Sequence, residues 1–330
     1  MVPRTWHRRD LLRVGGVATV AALAGCLGNG DDTDPDPDDP GSNEPDPDGP
    51  DSGGDHSPLE TADVRPYTEY VTPDETGEVT AGYVDRVADA SVSGWFESGF
   101  LDREDPLLTL PTQGYGLVSE ASTVLTLAGL GEVLDRQGRF DSEVAASLVA
   151  SGAFVAAGDI DPDEIGQELR AETEAPLGTF EQVDEVGGYS LYRPTSGEET
   201  TMAVSGSDIV SGERGAVERA VEAAAGDRER ATAGLDAFGW ALDTVGDHQV
   251  ALAGGGDLTG IESLAGAAVV AATHGFEDGV LRAELAAVFE SESALDGVAG
   301  EIDDDFGVEA TDRETAFEGD RVHVSGTYPG

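Results

Sequence analysis

Lysine is absent from this chain of 330 residues, in which all 18 basic side chains are arginines. Against them stand 67 aspartates and glutamates, so the formal net charge is −49. Nucleic acid is bound by basic protein surfaces, and this charge therefore excludes a nucleic-acid-binding protein. A P-loop nucleotide site is excluded as well, because its phosphate-binding lysine is missing.

Apolar and aromatic residues are also scarce. Only 39% of the residues are hydrophobic and 6% are aromatic. Over a chain of this length, that content still suffices for one or two hydrophobic cores. The 45 glycines indicate that such a core is thin and built with many small residues.

The excess of acidic residues predicts a protein adapted to high salt. So many like charges destabilise a compact state at ordinary ionic strength. In about 1 M salt the Debye length falls to roughly 3 Å, and neighbouring carboxylates then scarcely repel each other. We expect the melting temperature of the domain to fall as NaCl is lowered to about 0.1 M, where the Debye length is roughly 10 Å. An unchanged melting temperature would contradict the screening argument.

The N-terminal 26 residues have the pattern of an export signal. Four arginines lie within the first 13 residues, including the pair Arg8-Arg9, and an apolar run begins at Val14. This run is too short and too rich in glycine to span a bilayer stably. It ends in the sequence Leu-Ala-Gly-Cys at 23–26. Because Cys26 is the only cysteine, no disulfide can form within one chain.

The arginine pair resembles a twin-arginine signal, and residues 23–26 resemble a lipobox. With the acidic stretch that follows, they are similar to the N-terminal regions of exported haloarchaeal lipoproteins. The resemblance covers about the first 58 residues and identifies no family for the rest. It implies that residues 1–25 are a signal peptide, that Cys26 is lipidated, and that the protein lies on the outer face of the cell membrane. The alternative is an inert Cys26 inside an uncleaved anchor helix.

The segment after Cys26 is predicted to be a disordered acidic linker. Between Asp31 and Pro58 the chain has 11 acidic residues and seven prolines, and almost no apolar residue. Such a segment cannot bury enough surface to offset the entropy lost on ordering its backbone. Residues 26–58 are therefore expected to act as a charge-extended spacer between the membrane and a globular domain.

Residues 59–330 are predicted to form an α+β domain in which a few amphipathic helices pack on antiparallel sheet. Whether the domain is an internal duplication, with two subdomains that meet near residue 245, is left open. Alternating and apolar runs predict ten strands. These are 79–84, 122–127, 154–160, 189–192, 201–204, 209–211, 249–252, 267–273, 280–289 and 321–327.

Three helices are predicted from capping signals and apolar stripes. Asp161 and Pro162 begin one helix, as the N-cap and the first helical residue. A second helix covers 215–225, and a third apolar stripe runs from Leu295 to Phe306. Hairpin turns are expected at 277–279 and 318–320.

Four aromatic residues are candidates for a ligand-binding site. Trp95, Phe96, Phe100 and Tyr115 lie close in sequence to several acidic residues, an arrangement that suits a cationic or carbohydrate ligand. The alternative interpretation is that these side chains anchor the thin core.

Catalytic motifs and metal-binding spacings are not found. No Gly-x-Ser-x-Gly nucleophile motif occurs, and no catalytic residue, metal ligand or cofactor is predicted. His248, His274 and His323 fall in separate strand-like segments, so one sheet could bring them together as a three-histidine metal site. The alternative, which we favour, is that they are three unrelated histidines on strands.

The sequence favours a membrane-anchored extracellular binding or interaction module without catalytic activity. Its expected partners are the membrane, through the lipid, the export machinery, through the signal, and an envelope protein or permease. A solute-binding component of a transporter is the first alternative, and an extracellular hydrolase is the second.

Overall fold

The computed structural model describes residues 66–86, 104–135, 138–172, 174–277 and 280–329. Contacts divide the chain into two units, Met1–Leu59 and Glu60–Gly330, and all of the described residues belong to the second. The predicted signal, the lipidation site and the acidic linker lie outside the described residues. Trp95, Phe96 and Phe100 lie outside them too.

One antiparallel sheet runs through the described part of the chain, as the sequence predicted. Its order is β11-β12-β10-β9-β8-β1-β2-β3-β7-β6-β5-β4, and every neighbouring pair is antiparallel. The strands in chain order are β1 (Thr80–Asp85), β2 (Glu143–Ala150), β3 (Ala153–Asp159), β4 (Phe180–Val186), β5 (Tyr189–Pro194), β6 (Thr200–Val204), β7 (Asp208–Glu213), β8 (Val250–Gly254), β9 (Ala267–Glu277), β10 (Val280–Phe289), β11 (Glu314–Glu318) and β12 (Arg321–Pro329).

Helices cover both faces of this sheet, which makes the domain α+β. Within the described ranges, no helix is both long enough and apolar enough to cross a membrane. The helices are α1 (Pro106–Leu127), α2 (Pro162–Arg170), α3 (Arg214–Ala225), α4 (Ala231–Gly234), α5 (Asp236–Val245), α6 (Glu292–Asp296) and α7 (Ala299–Asp305).

The two faces have separate apolar cores. On one face, which we call the α5 face, the buried residues of α3 and α5 pack against alternate residues of the sheet, such as Ala271 and Ala286. On the other, the α1 face, α1 lies over β1 and β8 at the middle of the sheet. The α1 face also buries Leu295 of α6 and Ile302 of α7 against β10 and β12, and Ile165 of α2 near the opposite end.

Two glycines allow α1 to lie close against the sheet. A Cβ atom on Gly114 of α1 would come within 2.2 Å of the Ala251 carbonyl oxygen in β8. Opposite it, a Cβ on Gly82 of β1 would lie 3.0 Å from the Gly114 carbonyl oxygen. Because Ala251 is backbone in a central strand and cannot move aside cheaply, the first position requires glycine.

The strand predicted at 122–127 is wrong, because these residues form the last turns of α1. The helix begins at Pro106, and the Asp105 side chain caps it by accepting a hydrogen bond from the Leu107 amide at 3.0 Å. The alternating Ser-Thr-Val-Leu pattern resembles a strand, but it follows a helix that is already nucleated and held against the sheet.

The other nine predicted strands and the two hairpin turns correspond to elements of the sheet. The helix capped by Asp161 is confirmed as α2, and the helix at 215–225 as α3. The stripe 295–306 is divided between the short helices α6 and α7 rather than forming one helix. Strands β2, β4 and β11 and helices α1, α4 and α5 were not predicted.

The two halves of the sheet follow a similar path. Strands β1, β2 and β3 form one meander and β8, β9 and β10 another, and β1 pairs with β8 where they meet. Each third strand is followed by helix on the α1 face and pairs with the last strand of its own half, β7 or β12. The residues on either side of Val245 thus contribute to one continuous sheet.

Candidate functional site

Tyr115 is the one predicted ligand-binding aromatic within the described residues. It lies on α1 and is half-buried, packed against the apolar cluster that includes Leu125 and Phe154. This placement agrees with the alternative interpretation of Tyr115 as part of the core. The other three aromatics are not described, so the proposed aromatic site stays a prediction.

The three histidines of the domain are divided between the two faces of the sheet. His323 of β12 pairs with Ala286 of β10, which is buried in the core of the α5 face. His274 of β9 pairs with Ala283, which is buried in the core of the α1 face. His248 lies just before β8 and reaches Glu284, which shares the α5 face with Ala286 because alternate strand residues point the same way.

Glu284 therefore lies between two histidines. The His323 Nε2 atom is 3.2 Å from Glu284 Oε2, and the His248 Nε2 atom is 3.6 Å from Glu284 Oε1. The three side chains are only 21% (Glu284), 31% (His323) and 17% (His248) exposed. We call His248, Glu284 and His323 the Glu284 cluster. It connects three segments of chain: β10, β12 and the loop between α5 and β8.

Electrostatics holds Glu284 in its charged form. Burial alone would raise the pKa of this carboxyl group, but hydrogen bonding and charge from His248 and His323 outweigh burial and lower the pKa from 4.5 to about 2. Opposite charges within about 4 Å favour the ionised state in this way. Glu284 is consequently a carboxylate at neutral pH.

His274 has the opposite environment. Its side chain is 2% exposed on the α1 face, and burial lowers its pKa from 6.5 to about 3, with the charge of His248 acting in the same direction. A buried imidazole of this kind stays neutral, because burial removes the water that would solvate its charged form.

The loop that carries His248 is fastened to β9 by two further contacts. The Thr273 hydroxyl donates to the carbonyl of Val245, the last residue of α5, at 3.1 Å. The Gln249 side chain pairs with the backbone of Phe276, donating to its carbonyl at 3.1 Å and accepting from its amide at 2.5 Å. These contacts place the His248 ring over the sheet within reach of Glu284.

A cation–aromatic contact lies on the same face. The Arg321 guanidinium of β12 lies 4.8 Å from the centre of the Trp240 ring of α5. Since His323 is two residues along β12 from Arg321, the two side chains share the α5 face. The α5 face of β12 is thus polar and half-exposed, and Arg321, His323, Ser325 and Thr327 all lie on it.

A second buried carboxylate on the α5 face has hydroxyl partners instead. Asp208 of β7 accepts hydrogen bonds from the Tyr70 hydroxyl, from the Tyr189 hydroxyl at 2.7 Å and from the Ser207 hydroxyl at 2.5 Å. Burial, followed by the charge of Asp208, raises the pKa of Tyr70 and of Tyr189. Both phenols therefore remain neutral donors, and they fasten the first described segment to the sheet.

A third buried carboxylate joins α1 to the C-terminal strand. Asp105 accepts from the Tyr328 hydroxyl at 2.9 Å and from the backbone amides of Gly307 and Glu309 at 2.8 and 3.2 Å. It also caps α1 through Leu107. These contacts account for the hydrogen-bonding capacity of both carboxylate oxygens, so Asp105 has a structural role.

The structure does not support the three-histidine metal site. His248 and His323 lie on either side of Glu284, whereas His274 points to the other face of the sheet. Among the described residues, no group of three or more His, Cys, Asp or Glu side chains is placed to hold a metal ion. What the sequence analysis missed is Glu284, which brings two of the three histidines together.

No protein-family model matches this chain, and no curated protein matches it. Among solved structures, it is similar to crystal forms I and III of TP0453. The sequences are 13% identical in both comparisons, which cover 81% of this chain and 94% and 95% of the other. The TM-scores are 0.42 for form I and 0.39 for form III.

Proposed function

We propose that this protein is exported and held on the outer face of the cell membrane by lipid on Cys26. Residues 59–330 then serve as a non-catalytic binding or interaction module adapted to high salt. The observation that carries the proposal is the order of three features: the Arg8-Arg9 pair, the lipobox-like residues 23–26, and the acidic linker that follows them.

The division of the chain into two compact units supports this order of signal, lipidation site and linker. The compact unit begins at Glu60, one residue after the domain start that the sequence predicts from the end of the acidic linker. The first described residues are already hydrogen-bonded to the rest of the domain. The Tyr70 hydroxyl donates to Asp208, and the Val71 carbonyl accepts from the Ala231 amide at 2.8 Å. The predicted linker would therefore lead into a segment that hydrogen bonds already hold to the rest of the domain.

The positions of the three histidines support a module without catalytic activity. His248 and His323 both face Glu284, and His274 is buried in the core of the α1 face. A general base needs a histidine aimed at a nucleophile or a substrate, and in the described ranges these rings instead join segments of the fold. Neither the transporter component nor the hydrolase gains a supporting observation from these residues.

The test of the anchor is a comparison of the wild-type chain with Cys26→Ser, expressed in a haloarchaeal host. We expect the wild-type protein in the membrane fraction, with a mature N-terminus at Cys26 that carries lipid by intact-mass analysis. Cys26→Ser should move to the soluble fraction, and a linker control, Ser52→Ala, should not. An unmodified Cys26 within an uncleaved chain would overturn the proposal in favour of an anchor helix.

The test of the module is affinity capture of the mature protein from a haloarchaeal membrane in molar salt. An envelope protein or permease recovered in stoichiometric amount would support an interaction module and identify its partner. Turnover of an envelope polymer or peptide by the purified protein, abolished by one point substitution, would overturn the non-catalytic assignment.

A further inference from the structure

Among the described residues, the end of the sheet beyond β10 is open to solvent on the α5 face. Helix α5 packs over β9 and β10, and β12 and β11 lie beyond it at the sheet edge. On this face β11 exposes Glu314, Ala316 and Glu318, while the β12 side chains are half-buried. The other face of β12 differs, because Val322 and Val324 are buried there in the core.

The two strands carry complementary side chains on the open face. Strand β11 has a small residue between two acidic ones, and β12 has an imidazole ring between a guanidinium group and a hydroxyl group. The register pairs Glu318 with Arg321, Ala316 with His323, and Glu314 with Ser325. Each strand therefore complements the other both in charge and in the size of its central side chain.

We propose that two copies of this chain associate through the open face, with β11 of each copy stacked on β12 of the other. A twofold axis that runs parallel to the strands, between the two sheets, produces this arrangement. The rotation keeps each residue at its level along the strand. Glu318 of one copy thus lies over Arg321 of the other, and Ala316 of one copy leaves room for His323 of the other. Each of these contacts occurs twice.

The layer that contains α5 leaves space for a second sheet. Stacked sheets lie about 10 Å apart, and an α-helix with its side chains is about 10–12 Å across. A partner sheet on β11 and β12 therefore lies beside α5 at the same height. The Arg321 guanidinium already reaches this height, since it lies 4.8 Å from the centre of the Trp240 ring of α5. The Arg321 side chain is 41% exposed, so a carboxylate from a second copy can approach it.

The charge of the chain favours a second copy in high salt. Two copies of a chain with a net charge of −49 repel each other, but in about 1 M salt the Debye length is only roughly 3 Å. Charge pairs that lose their water on association are screened much less. The two pairs of Glu318 with Arg321 therefore still attract when the long-range repulsion is screened.

The association is expected to be weak. The five residues of β11 span about 17 Å, at about 3.4 Å per residue. An interface of this length and two strands wide is smaller than the roughly 1,200 Å² of stable complexes, so we expect a Kd of about 0.1–1 mM. At a membrane, the proposed lipid anchor would raise the local concentration. This membrane effect depends on the proposed function, whereas association in solution does not.

The experiment is sedimentation equilibrium of the full-length chain in molar NaCl, at protein concentrations up to about 0.5 mM. The chain carries Cys26→Ser, so that neither a lipid nor a disulfide joins two copies. We expect a reversible equilibrium between monomer and dimer. Arg321→Glu and Glu318→Arg should each raise the Kd at least about 10-fold, because each places like charges opposite each other twice. A chain that stays monomeric throughout this concentration range would overturn the proposal.

Mixing the two variants tests the predicted contact itself. In an equal mixture of Arg321→Glu and Glu318→Arg, every such contact again joins opposite charges, so dimers should return to near the wild-type level. The double variant in one chain should dimerise as well. Glu301→Arg, an exposed position on α7, changes the net charge on the other face and should behave like wild type. Dimers that survive both single substitutions, or a mixture that stays monomeric, would overturn the proposal. Circular dichroism checks the folding of each variant, and Glu318→Arg with the double variant decides if Arg321→Glu does not fold.

Discussion

Two carboxylates on the α5 face, the buried Asp208 and the partly buried Glu284, are held by different kinds of partner. Asp208 is held by neutral hydroxyl groups, chiefly those of Tyr70 and Tyr189, whereas Glu284 is held by the imidazoles of His248 and His323. The hydroxyl donors keep their protons because burial raises the pKa of both tyrosines. The two imidazoles instead outweigh the effect of burial and lower the pKa of the Glu284 carboxyl group from 4.5 to about 2.

The comparison shows that the two carboxylates attach different parts of the chain to one sheet face. Asp208 attaches the segment around Tyr70 to the sheet. This segment follows the predicted linker, where a permanent attachment suits a tethered domain. Glu284 connects the loop between α5 and β8 with β12, the strand next to the sheet edge. Three predictions follow from this contrast, and they begin with His274, the buried histidine of the α1 face.

The largest effect is expected for His274 in acid. Its folded-state pKa of about 3 lies below the ordinary 6.5, so the unfolded chain takes up a proton first as pH falls. Stability is therefore full above pH 6.5 and is lost towards pH 3, by about 4–5 kcal/mol at most. Denaturant unfolding of His274→Leu in molar NaCl should show a flatter pH dependence over this range than wild type. His56→Gln, which removes an ionisable group from the linker, should leave the slope unchanged.

The second prediction concerns Asp208 and tests the pH-independent side of the comparison. Asp208→Ala leaves the buried hydroxyls of Tyr70 and Tyr189 without their acceptor, so we expect a loss of about 3–4 kcal/mol in unfolding free energy. The loss should be equal at pH 5.5 and pH 8, measured by denaturant unfolding in molar NaCl. The exposed Asp227→Ala is the control, with an expected change within about 0.5 kcal/mol. A loss that differed between the two pH values would break the contrast with Glu284.

The sequence predicted the antiparallel sheet well because its strands alternate or are strongly apolar. It failed where the pattern was weak or misleading. Strand β4 is exposed along most of its length, since it is an edge strand, and its apolar residues Phe180, Val183 and Val186 do not alternate with polar ones. Helix α1 begins after Asp105 with a proline, and the same signal correctly predicted α2 at Asp161. The alternating and apolar residues at 122–127, however, favour a strand.

Only part of the Glu284 cluster could be predicted from the sequence. Glu284 is the one acidic residue of β10 and directly precedes the apolar second half of this strand, and such a residue needs a partner when it is buried. The hairpin of β11 and β12 follows from local sequence, but the pairing of β12 with β10 does not, because α6, α7 and β11 intervene. His248 reaches Glu284 across β9, and no local pattern encodes that approach.

The smallest effect is expected for Glu284 in acid, and it tests the electrostatic side of the comparison. The folded-state pKa of about 2 lies below the ordinary 4.5, so the contribution is present above pH 4.5 and is lost as pH falls towards 2. We expect Glu284 to contribute about 1–3 kcal/mol to the unfolding free energy over that window. Glu284→Gln in a His274→Leu background isolates this slope in denaturant unfolding, with Glu314→Gln as the control. If the two variants gave the same slope, the histidines would not hold Glu284 by charge.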